Sequence, residues 1–162
     1  MRFIQLAWGE EVFPEGDTSP ENNMSVVQFA NLCRKNILLT GDAGRATLLE
    51  AIEYAPEVGL TLPGIDRIQI PHHGSRHNVS SELLDDLLGP KLDTPQENFI
   101  SVISAAKEDK DHPRKAVIRA FMHRGGRVIT TEGRDIGLGH NAPPRENWTS
   151  VEPVPYPGEQ EE

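Results

Sequence analysis

The sequence predicts an α/β layered fold in which helices cover a sheet. Two observations carry this. Strand-like and helix-like segments alternate along the chain after an early pair of strands. Each helix-like segment also carries its apolar residues at helical spacing, so each has one face to bury. The 13 Pro and 14 Gly residues are consistent with the many turns such an order needs.

Taken in order, residues 2–8 read as a short strand and residues 10–22 as a Pro, Gly and Asp loop. Residues 25–30 and 36–40 read as a second and third strand, and the short polar link between them predicts a hairpin. Ile37, Leu38 and Leu39 make the third strand almost wholly apolar, as expected of a strand buried on both faces. It stops at Gly41-Asp42-Ala43-Gly44. A helix fits residues 46–55, with Leu48, Leu49, Ile52 and Ala55 on its inner face and Pro56 beyond its end. Residues 65–70 alternate as a half-buried strand and run into Pro71-His72-His73-Gly74-Ser75. Ser80 or Ser81 caps a helix over residues 82–88 that buries Leu83, Leu84, Leu87 and Leu88. Residues 98–104 form the next strand. Asp111 or His112 caps a helix that opens on Pro113, buries Ala116, Val117, Ala120 and Phe121, and ends at Gly125-Gly126. Residues 127–131 are the last strand. From residue 137 the chain is Pro-rich, acidic and aperiodic, which predicts a mobile or extended tail, so residues 1–136 are expected to form the folded unit.

Composition excludes some functions. No apolar run reaches the roughly 18 residues of a membrane span, and no apolar N-terminal signal is present, so a cytoplasmic protein without a membrane role is expected. The lone Cys33 has no intramolecular partner and reads as a hairpin-loop thiol without a role. The formal net charge of −9 argues against binding nucleic acid by bulk electrostatics. Residues 107–134, however, hold 8 basic against 4 acidic side chains, either a solvated helix face or a local surface for phosphate.

Two strand ends carry chemistry. Asp42 stands at the end of an apolar strand between glycines that leave backbone room for a ligand or an ion. It reads either as a cap of the following helix or as a carboxylate projecting into a shared edge site. His72 and His73 are adjacent at another strand end and followed by Gly74. Imidazole is the commonest metal ligand, and adjacent side chains diverge, so at most one of the pair faces a given ion. Parallel strands would bring both ends to one edge, where ligands bind in α/β sheets. A carboxylate with an imidazole suits zinc or manganese, yet a catalytic zinc normally takes three protein ligands and an open position.

Four segments in this order resemble the competence-protein branch of the metallo-β-lactamase superfamily. They are Asn22-Asn23-Met24-Ser25-Val26-Val27, Leu38-Leu39-Thr40-Gly41-Asp42-Ala43-Gly44, Pro71-His72-His73-Gly74-Ser75-Arg76-His77, and Ser101-Val102-Ile103-Ser104 with His112-Pro113 and a helix ending near Gly125-Gly126. The resemblance spans roughly residues 22–133 and implies the C-terminal half of an αββα sandwich, a sheet covered by about three helices. It implies a metal-activated water that hydrolyses an ester or phosphodiester. Asp42 then matches the carboxylate able to bridge two metals, and His72, ahead of His73, matches the late metal-binding histidine. Ser75 and His112 would line the cleft, His112 having the alternative role of a helix cap. His77, His123 and His140 are expected at the surface.

The departures carry as much information. The superfamily's principal motif, His-x-His-x-Asp-His, occurs nowhere in the chain. Ala106 and Asp111 replace glycines of the family pattern, and Asn22 and Asn23 stand where other branches place a further histidine. The resemblance therefore implies a metal-dependent hydrolase that is incomplete without a partner half. A complete site would hold one or two zinc or manganese ions, and this chain alone as few as none. The alternative is a degenerate or truncated module that binds protein without catalysis. Either way a half sandwich would leave an apolar face for a protein partner or a second copy, and nucleic acid enters as substrate only by analogy.

Overall fold

In the computed structural model, which describes residues 9–16 and 18–158, the chain forms a five-stranded mixed sheet with three α-helices. The expected strand at residues 2–8 lies outside the described residues. The strands are β1 (Gln28–Leu32), β2 (Lys35–Leu39), β3 (Arg67–Gln69), β4 (Phe99–Ile103) and β5 (Gly126–Thr130). The helices are α1 (Arg45–Tyr54), α2 (Ser81–Leu88) and α3 (Lys115–His123). Among the described residues no helix is long and apolar enough to cross a membrane.

The β1–β2 hairpin forms as expected, closed by Cys33 and Arg34 at φ 52° and 62°. Two consecutive left-handed residues match the twist of a tight hairpin. From β2 onward every pairing is parallel, and the strands lie in sequence order. Each crossover steps in the same direction, and right-handed crossovers of that kind set all their helices on one face. Leu38, Ile68, Phe99, Ile103 and Val128 accordingly share a core with Leu48, Leu83, Leu84, Leu87, Val117 and Phe121 of the helices.

That one-sidedness corrects one expectation. β2 is buried on one face only: Leu38 is 4% exposed and its neighbour Leu39 is 45% exposed. Leu49 of α1 likewise faces solvent, and the inner stripe is Leu48, Ile52 and Ala55. α3 also begins later than its sequence signals suggest. Pro113 packs against Gly74 and the Arg114 amide donates to the Gly74 carbonyl at 3.0 Å, so the helix starts at Lys115 and neither Asp111 nor His112 caps it. Ser80 does cap α2, accepting from the Leu83 amide.

The tail is extended without helix or strand, and it is fastened to the protein. Arg67 donates to the carbonyls of Leu138 and Gly139 at 3.1 and 2.9 Å. Val154 N–H donates to the Val128 carbonyl at 2.8 Å, which covers the free edge of β5. Farther on, Arg119 of α3 donates to the carbonyls of Pro157 and Gly158.

A buried ionic cluster joins Glu11 and Tyr156 to α3. The Glu11 side chain, 1% exposed, accepts from His123 Nδ1–H, from Arg124 Nη1 at 3.1 Å and from Ser81 Oγ–H at 2.8 Å. Lys91 Nζ lies 3.2 Å from it, and Asp85 holds the other side of Arg124 at 2.7 Å. Tyr156 Oη sits 3.0 Å from His123 Nε2 and accepts from the Gly9 amide. Burial raises the Glu11 carboxyl; the His123 hydrogen bond and the Arg124 charge outweigh it and bring the group from 4.5 down to about 2.

A carboxyl lowered in the folded state stabilises the fold above its unfolded value and loses that contribution as pH falls towards the folded one. Stability measured by denaturant titration is therefore expected to drop between pH 4.5 and 2, and Glu11→Gln to flatten that part of the profile. Glu11→Ala removes the buried carboxylate that His123 and Arg124 share, leaves the half-exposed Asp85 as the counter-charge of Arg124, and is expected to cost roughly 3–5 kcal/mol at pH 7.

Candidate functional site

The parallel register carries β2, β3 and β4 to a common carboxyl edge, where the loops 40–44, 70–80 and 104–114 meet. The first two loops are laced together by backbone. His72 N–H donates to the Gly41 carbonyl at 3.0 Å, Thr40 Oγ1–H to the Gln69 carbonyl at 2.8 Å, and Asn78 Nδ2 to the carbonyls of Asp42 and Ala43 at 3.0 and 3.1 Å. The third joins through Arg114 N–H on the Gly74 carbonyl.

His72 and His73 occupy a tight turn, with φ of 44° and 56° and Gly74 following at 85°. Two non-glycine residues in succession in the left-handed region are costly, and such strain concentrates at functional sites. The turn brings the His72 ring towards Asp42. Its Nδ1 lies 3.6 Å from Asp42 Oδ1, too long for a good hydrogen bond, and is buried without a hydrogen-bond partner. Burial lowers the His72 pKa from 6.5; the Asp42 charge opposes this, and the neighbouring His73 and His112 add to it. The shift favours the neutral imidazole, the form that binds metals.

The other histidines surround this pair. His73 points away, its Nδ1–H donating to the Ser104 carbonyl at 2.5 Å. The His112 ring stands edge-on to His72, centroids 6.0 Å apart at 88°. Asp109 Oδ2 lies 3.2 Å from His112 Nδ1 and fixes the ring. The Asp111 amide, joined by the His112 amide and ring, holds the Asp109 carboxyl below its ordinary value against the opposing effect of burial. Ser75 is buried, and its Oγ accepts from the His77 amide. His77 and His140 are exposed as expected. His123 is not: it is fully buried in the Glu11 cluster, far along α3 from the loops of the site.

The donors fit part of a metal site. Two ligands of a tetrahedral zinc stand about 3.3 Å apart, close to the Asp42–His72 separation of 3.6 Å, and the unpartnered Nδ1 lacks any other acceptor or donor. A third donor is missing: among the described residues no three His, Cys, Asp or Glu side chains are grouped to hold an ion.

The basic stretch 107–134 is not one surface. Arg119 and Arg124 are buried and turn inward to the tail carbonyls and to Glu11 and Asp85, so two of its positive charges serve the fold. Arg45 and Asn78 belong to the site and carried no motif in the sequence. Their partners are backbone carbonyls, which leave no sequence signature.

Beside the site, on the sheet face away from the helices, lies a cleft of about 270 Å³ lined by Ile37, Leu39, Gln69, Val102, Ile136 and Leu138. Compared with protein-family models, with curated proteins and with solved structures, the chain gives no match.

Gly74 tests the local geometry. A Cβ there would lie 2.8 Å from Pro113 Cβ, in a backbone conformation that already disfavours side chains. Gly74→Ala is expected to lower stability by about 1–3 kcal/mol in urea titrations and to separate the His72 and His112 ring signals in nuclear Overhauser spectra.

Proposed function

We propose that this chain is half of a metal-dependent hydrolase of the metallo-β-lactamase type, completed by a partner half that supplies the missing ligands. The observation that carries the reading is the Asp42–His72 pair: a carboxylate 3.6 Å from a buried, unpartnered imidazole nitrogen on a strained turn at the carboxyl edge of parallel strands. His72 Nδ1 has no hydrogen-bond partner to account for its burial beside Asp42.

In this reading Asp42 and His72 hold the ion. When bound, zinc or manganese there supplies an activated water and a positive charge against the phosphoryl or acyl oxygen of an ester. Asp42 would also orient the attacking water through a hydrogen bond that its carboxylate accepts. His73, tied to the Ser104 carbonyl, keeps the turn in its strained form. His112, oriented by Asp109, would donate a hydrogen bond to the substrate. The superfamily resemblance supports a sandwich completed across the sheet face that bears Ile37, Leu39 and Val102, which carries no helix and which the tail crosses at Ile136 and Leu138. Nucleic acid remains a substrate by analogy, and the inward-turned arginines lend it no support.

The second reading is a module that binds protein without catalysis, and the absence of a third donor among the described residues favours it. Metal analysis of the purified chain, alone and with any co-purifying protein, separates the two. The enzyme reading expects zinc or manganese in the complex and a loss of at least about 10-fold in metal affinity on Asp42→Ala. Metal-free preparations in both cases, with function intact in Asp42→Ala, would leave only the binding module.

A further inference from the structure

Asn78 and Arg45 bridge the loops that carry the proposed donors, through hydrogen bonds to backbone carbonyls. Asn78 is fully buried, and its amide crosses from the histidine loop to the carbonyls of Asp42 and Ala43. Arg45, the first residue of α1, crosses the other way. Its Nε donates to the Val79 carbonyl at 2.9 Å and its Nη2 to the Arg76 carbonyl at 3.2 Å. The same guanidinium reaches the carbonyls of Pro14 and Gly16 at 3.0 and 2.8 Å. With the His72 amide on Gly41 at the near end, the loops of Asp42 and His72 are tied at both ends.

We infer that Asn78 and Arg45 are positioning residues which fix the spacing of Asp42 and His72 before any ligand arrives. The inference rests on the metal-site reading for its purpose, but its geometry is independent of it. The four carbonyls of Asp42, Ala43, Arg76 and Val79 come from two loops and need donors to be buried at all. An apolar filler would have packed the space without fixing register. A forked guanidinium and an amide with two N–H groups each bind two carbonyls of the opposite loop in one orientation. The spacing of the functional pair is thus set by side chains without functional chemistry of their own.

The test uses the full chain with zinc ion as probe, and reads the ring-nitrogen signals of His72 by NMR and zinc affinity by calorimetry. Asn78→Ala and Arg45→Lys are expected to shift the His72 signals in zinc-free protein and to weaken zinc binding by about 10- to 100-fold. Lysine keeps the charge of Arg45 without its fork and so is expected not to rescue. Val128→Ala, a core change on β5 outside both loops, should lower the melting temperature while leaving His72 and zinc affinity unchanged. If either Asn78→Ala or Arg45→Lys behaves as Val128→Ala does, that residue has only a structural role and the inference fails for it. Should wild-type His72 ignore zinc while both loop variants still move its zinc-free signals, the metal reading fails and the positioning role stands.

Discussion

The parallel pairing of β2 with β3 is the constraint on which the rest depends. It sets Ile37 beside Arg67 and Leu38 beside Ile68, so both strands run out at one edge a few residues later. Asp42 follows one strand and His72 the other. Were the pair antiparallel, the two side chains would stand at opposite ends of the sheet. The hydrogen bonds from Thr40 to Gln69 and from His72 to Gly41 continue this pairing past the regular ladder and convert strand register into side-chain spacing.

Sequence order of the strands has a second consequence. All helices fall on one face, so the core is one layer of sheet against one layer of helices. The other face is left to the tail, which crosses it at Ile136 and Leu138 under the grip of Arg67. The Glu11 cluster secures the same tail at its far end through Tyr156 and ties the N-terminal segment to α3. That segment returns through Pro14 and Gly16 to Arg45 and hence to the site. Fold stability and site geometry therefore share one chain of contacts.

Much of this was legible in the residues. Alternation and helical spacing placed the hairpin, the three helices and the later strands within a few residues. Glycines after apolar runs marked Asp42 and the paired histidines. What failed to show has physical causes. Ile37-Leu38-Leu39 reads alike whether one face of a strand is covered or two, so the open face was hidden. The charge of residues 107–134 suggested a surface because the sequence does not say that Arg119 and Arg124 meet tail carbonyls and Glu11. The later start of α3 depends on Gly74, some forty positions earlier in the chain. Nor does the sequence signal that His72 Nδ1 is buried without a hydrogen-bond partner.

The central claim is that Asp42 and His72 are two donors to one ion. Zinc K-edge X-ray absorption on the zinc-loaded chain addresses it directly. The account predicts a shell containing an imidazole nitrogen and a carboxylate oxygen at about 2.0–2.2 Å, with the imidazole scattering lost in His72→Ala. A shell of water oxygens alone, or one identical in His72→Ala, would contradict it.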